Sequence, residues 1–112
     1  MDKLTIAIAL NSAKLAGEIA AMEVWVRDGR KDGGSCGGSI LEFDARTKVA
    51  KVAEEIGLVR KSGNDCFLTL AVPAGIASQN AAIPQAQFAA FRKSLDAFGL
   101  GKSVKRAWDY CD

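Results

Sequence analysis

Apolar residues recur along the chain with two different periods. Around Met22–Arg27 they alternate: Met22, Val24 and Val26 share one side of an extended segment, and Glu23, Trp25 and Arg27 the other. After a polar, glycine-heavy link, Ser39–Phe43 repeats the alternation, with Leu41 and Phe43 set against Ile40, Glu42 and Asp44. A period of two predicts strands, and the link between them reads as the loop of an antiparallel ribbon. A second ribbon follows. Leu58–Lys61 is short, Ser62-Gly63-Asn64-Asp65 is a cluster of turn formers, and Cys66–Val72 is the return strand. Cys66, Leu68, Leu70 and Val72 point to a core, while Phe67, Thr69 and Ala71 point away from it.

Elsewhere the spacing is three to four. From Ala45 to Ile56 the apolar positions are Val49, Val52, Ala53 and Ile56, with Asp44 placed to cap the start and Gly57 to stop the end. Pro84 suits the first turn of a longer helix on which Phe88, Phe91, Leu95 and Phe98 line one side, ended by Gly99 and Gly101. Ser103 opens a last short helix carrying Val104, Ala107, Trp108 and Cys111. The start of the chain fits both periods. As a helix from Leu4 to Ala21 it puts Leu4, Ile8, Leu15 and Ile19 on one side with alanines filling in. As a strand it sets Leu4, Ile6, Ile8 and Leu10 against Thr5, Ala7 and Ala9. The helix is the reading adopted.

The predicted order is αββαββαα in one domain over residues 1–112. A lone ribbon is barely stable, so the economical α+β architecture is a four-stranded antiparallel sheet from both ribbons, with three to four helices packed mainly on one face. At 112 residues, 49% hydrophobic and 25% charged, the composition suits a globular chain rather than a disordered one. A net charge of +2 implies no nucleic-acid partner without a local cluster. No apolar run approaches the roughly 20 residues of a membrane span, so no membrane association is expected. Leu4–Leu10 resembles a short signal core but lacks a small-residue cleavage site. Cys36, Cys66 and Cys111 are odd in number and widely spaced, which fits a reducing cytoplasm better than a disulfide framework.

The chain contains no histidine. That removes Ser-His, Cys-His and histidine-metal chemistry together, and the 13 acidic residues show no catalytic or metal-ligand spacing. No catalytic residues, metal or cofactor are expected, and an enzyme using carboxylates is the weakest of three readings. Alternation instead directs Trp25, Arg27, Ile40 and Phe67 to the helix-free face of the sheet. Such a patch seeks a partner, most simply a second copy of the chain, unless the N-terminal segment or the loop 74–83 folds over it. The alternative is a nucleic-acid or phosphate binder, with Trp25 stacking bases beside Arg27, Arg30, Lys31, Arg60 and Lys61. Asp28, Asp32, Glu23 and Glu42 cancel much of that field.

The loop 33–39 has glycines enough to cradle an anion, but a strand rather than a helix follows it, and a ribbon loop is the simpler reading. Gly99-Leu100-Gly101-Lys102-Ser103 ends like a P-loop yet has Asp96 where glycine is required and no strand before it. What survives is a weak anion site at the start of the last helix, formed by Lys102, Ser103, Lys105 and Arg106.

Overall fold

The computed structural model of the chain describes residues 1–28, 39–70, 72 and 82–109, the last two positions through their backbone alone. Its elements are α1 (Lys3–Arg27), β1 (Ser39–Asp44), α2 (Lys48–Glu55), β2 (Arg60–Ser62), β3 (Asp65–Leu70), α3 (Ala82–Asp96), a 3-10 turn (Gly101–Ser103) and β4 (Val104–Asp109). The fold is α+β: an open, four-stranded antiparallel sheet in the order β2-β3-β1-β4, with three α-helices among the described residues. The strand count matches expectation, but one of the four strands is a different segment, and the order is αβαββαβ rather than αββαββαα.

The expected strand Met22–Arg27 is instead the last part of α1. Buried positions Ile6, Ala9, Leu10, Ala13, Gly17, Ala20, Ala21 and Val24 keep the helical spacing up to the final turn. Within six residues an i, i+4 pair such as Met22 and Val26 satisfies either period, so alternation alone misassigns them. Asp2 fixes the start, its Oδ1 accepting a hydrogen bond from the Thr5 N–H at 2.8 Å.

The second difference lies at the other end. Residues 104–109, expected as a helix, form a strand paired to the edge of β1 that Met22–Arg27 leaves open. Val104 partners Phe43, Arg106 partners Glu42, Ala107 partners Leu41 and Trp108 partners Ile40. The register slips between Glu42 and Phe43, which leaves Lys105 as the extra residue of a bulge.

The remaining elements fall close to expectation. The hairpin β2–β3 turns through Gly63 at φ +63°, and Ser62 partners Asp65. The cap of α2 is Thr47, whose Oγ1 accepts from the Ala50 N–H at 3.2 Å; Asp44, expected in that role, accepts from the Arg46 N–H instead. Gly57, at φ +76°, follows the helix as expected, but Ile56 is exposed rather than core. The helix α3 starts two residues before Pro84, and Phe88 and Phe98 are half-buried where Phe91 and Leu95 are fully buried.

The core lies between the helices and the sheet face that carries Leu41, Phe43, Cys66, Leu68, Leu70 and Val104. Phe43 and Phe91 meet edge to face, centroids 6.3 Å apart at 72°. Buried Ser39 donates its hydroxyl to Gln87 Oε1 at 3.4 Å, joining β1 to α3. At Gly17 an added Cβ would stand 2.9 Å from Leu70 Cδ1 and 3.5 Å from the Gln87 carbonyl oxygen. Gly17 therefore sets how closely α1 approaches both β3 and α3.

A Gly17→Val substitution is expected to destabilise the fold by about 1–3 kcal/mol, because Leu70 is fully buried and has little room to retreat. Gly17→Ala should fall within about 1 kcal/mol of wild type, helix propensity offsetting the closer contact. Urea unfolding of both variants measures the difference; equal midpoints would show that the junction is not tight.

Candidate functional site

The open face of the sheet receives only two of the four residues expected there. Ile40 and Phe67 lie on it, both half-buried, whereas Trp25 and Arg27 are on α1. Trp25 packs half-buried against the small cluster of Ala21, Val24 and Ile83. Arg27 bonds Asp28 through Nε at 3.0 Å, and that contact raises its pKa. In place of an apolar patch, the open face centres on a charge pair. Glu42 is 2% exposed, with Phe67 of β3 and Arg106 of β4 flanking it in register. Arg106 Nε donates to Glu42 Oε2 at 2.6 Å and its NH2 group to Oε1 at 3.5 Å, a fork that holds the guanidinium charged.

The weak anion site comes apart in the same way. Lys102 and Ser103 belong to a single 3-10 turn and Lys105 and Arg106 to β4, so no helix N-terminus stands behind them. Lys105 is 3.2 Å from Asp65 Oδ1, and Arg106 is held by Glu42. Carboxylates on other strands of the sheet, Asp65 on β3 and Glu42 on β1, answer both cations. Nearby, Arg46 forks onto Asp44 at 3.0 and 2.8 Å, and together with the Arg46 N–H it holds that carboxyl well below the usual carboxylate range. The cation cluster expected at one end of two ribbons does not form among the described residues: Arg27 ends a helix, Arg60 and Lys61 lie on the edge strand β2, and Arg30 and Lys31 fall outside the described residues.

A feature the alternation obscured lies on α1. Leu4, Ile8, Leu15, Ile19, Met22 and Val26 are all exposed, from 44% at Met22 to 70% at Leu4. At 100° per residue they fall within a band about 60° wide, with Asn11 at its edge. The large side chains face outward, and the inner face is mostly alanine and glycine. A helix apolar on both faces is normally covered on both. The exposed stripe runs about 33 Å, at 1.5 Å per residue from Leu4 to Val26. Its exposed area is on the order of 600 Å², at the upper end for the largest patch on a monomer and near the roughly 800 Å² per partner of a standard interface.

By length and apolar content α1 could also cross a membrane, but a third of its most apolar 18-residue window is buried in the domain. Moving it into lipid would strip the core of Ile6, Leu10 and Val24. The charges nearest the stripe are Glu18 on one flank, with Lys14 bonded to it, and Glu23 on the other, unlike the basic rim of a helix lying on a membrane surface.

No group of three or more Cys, Asp or Glu among the described residues could hold a metal ion. Cys66 is buried, and desolvation pushes its thiol pKa up, the opposite of an activated nucleophile. Cys36, Cys111 and the glycine loop 33–38 lie outside the described residues. No protein-family model matches the chain, and comparison with curated proteins and with solved structures gives no match either.

The Glu42–Arg106 pair makes a rank-order prediction. Arg106→Ala removes the guanidinium from a buried carboxylate and should lower the urea midpoint, whereas Glu42→Leu combined with Arg106→Ala should recover part or all of the loss. A double variant less stable than the single one would show that the pair contributes more than it costs to bury.

Proposed function

We propose that the protein is a small non-catalytic interaction domain that self-associates through the outer face of α1. The observation that carries this reading is the exposed apolar stripe from Leu4 to Val26. A second copy is the simplest occupant, because one self-complementary patch suffices for a two-fold dimer and its area approaches that of a standard interface. The open sheet face is the weaker surface: without Trp25 its aromatic content falls, and its centre is the satisfied Glu42–Arg106 pair.

Nucleic-acid or phosphate binding is the lesser alternative. Arg27, Lys105 and Arg106 are each bonded to a carboxylate, and the net charge is +2. Carboxylate-based catalysis has no cluster of three or more acids to support it among the described residues. Cysteine usage fits a reducing, cytoplasmic setting.

Sedimentation of the full chain up to on the order of 100 µM tests the reading, since surfaces of this size span micromolar to tighter affinities. The wild type should dimerise, and Leu15→Lys should weaken the dimer at least about tenfold, because a charge replaces an apolar contact near the two-fold axis of both copies. Leu15 is exposed in the single chain, so the urea midpoint of that variant should stay unchanged. A wild type that sediments as a monomer throughout would falsify self-association.

A further inference from the structure

We infer that two copies pair with their α1 helices antiparallel, crossing near Ala16, and that Lys14 and Glu18 of each copy face Glu18 and Lys14 of the other. This inference rests on self-association through α1 and adds its orientation.

The stripe repeats every eleven residues: Leu4, Leu15 and Val26 form one series, Ile8 and Ile19 a second, and Asn11 and Met22 a third. Such a repeat stays nearly in line along a straight helix, so two stripes can lie together over their whole length. Contact between apolar side chains does not choose a direction; the flanks do. At 100° per residue, Glu18 borders the stripe on one side, with Lys14 farther round the helix but bonded to it, and Ser12 and Glu23 border it on the other.

In an antiparallel pair each flank meets the same flank of the partner. With the axis level with Ala16, Lys14 of one copy stands opposite Glu18 of the other, twice by symmetry. Within one chain these two residues already bond at 2.8 Å and are partly exposed, so the interface would close a ring of four alternating charges. In a parallel pair opposite flanks meet, and Glu18 falls opposite Glu23 of the partner, five residues on, also twice. Like charges so placed disfavour that arrangement. Asn11, at the rim of the stripe, donates its amide to the Ala7 carbonyl at 3.0 Å, so its NH2 group does not require a facing asparagine, which only the parallel pair would supply.

The two orientations predict opposite signs for the same variant. Glu18→Lys in the full chain should weaken the antiparallel dimer roughly tenfold, because symmetry repeats each lost ion pair, and Lys14→Glu combined with Glu18→Lys should restore it to within about threefold. In a parallel dimer Glu18→Lys would tighten association by converting the Glu18–Glu23 repulsion into attraction. Sedimentation across a sodium chloride series gives an independent sign: added salt should weaken the antiparallel wild type and strengthen a parallel one. A dimer that Glu18→Lys tightens or leaves unchanged overturns the orientation while self-association stands. A wild type that never dimerises removes both.

Discussion

Where α1 crosses β3, a single hydrogen at Gly17 separates the helix backbone from the side chain of Leu70, and the Gln87 carbonyl of α3 lies only a little farther away. The rest of the architecture depends on that closeness. Ala9, Ala13, Ala20 and Ala21 extend the same small-residue face along α1, with Ile6, Leu10 and Val24 filling what space remains. A helix that presents small residues inward can lie flat on a sheet and on a neighbouring helix at once. Its larger apolar residues are then left with only the outward direction. The buried face and the exposed stripe are two consequences of one distribution of side-chain volume.

The same packing decides the sheet. Because α1 keeps Met22–Arg27 in its final turns, the edge of β1 away from β3 is open, and Val104–Asp109 occupies it. That exchange brings Arg106 beside Glu42 on β1 and Lys105 within reach of Asp65 on β3. Cations that look available along the chain are therefore matched across it. A carboxylate as buried as Glu42 is held with a forked guanidinium beside it, and a face so arranged offers a ligand less than an apolar patch or an unopposed basic cluster would.

The proposed pairing of α1 helices follows from where apolar area and charge are left over after folding. Stripe area makes an interface feasible, and the charges on its flanks discriminate between directions. Binding on the open sheet face would instead have to compete with Glu42 for Arg106 and with Asp65 for Lys105.

Several features were legible in the residues themselves. Those of α2, of the β2–β3 hairpin and of α3 are set by local chemistry: helical spacing over a sufficient length, a glycine turn, and glycine just past a helix end. The absence of histidine is likewise read from the residues alone, and it excludes only histidine-based chemistry. What local pattern did not reveal were the short segments that satisfy two periods at once. Met22–Arg27 alternates like a strand yet shares the helical register of Val24 with Ala20 and Ala21. Val104–Trp108 shows helical spacing yet closes a sheet edge. In both, a partner distant in the sequence supplies the deciding contact, α3 for the first and β1 for the second. The direction of the apolar stripe was also hidden, since Leu4, Ile8, Leu15 and Ile19 share one side of the helix whether that side is core or surface. Only packing against α3 and β3 shows that the small face is the buried one, because close approach rewards low volume rather than high hydrophobicity.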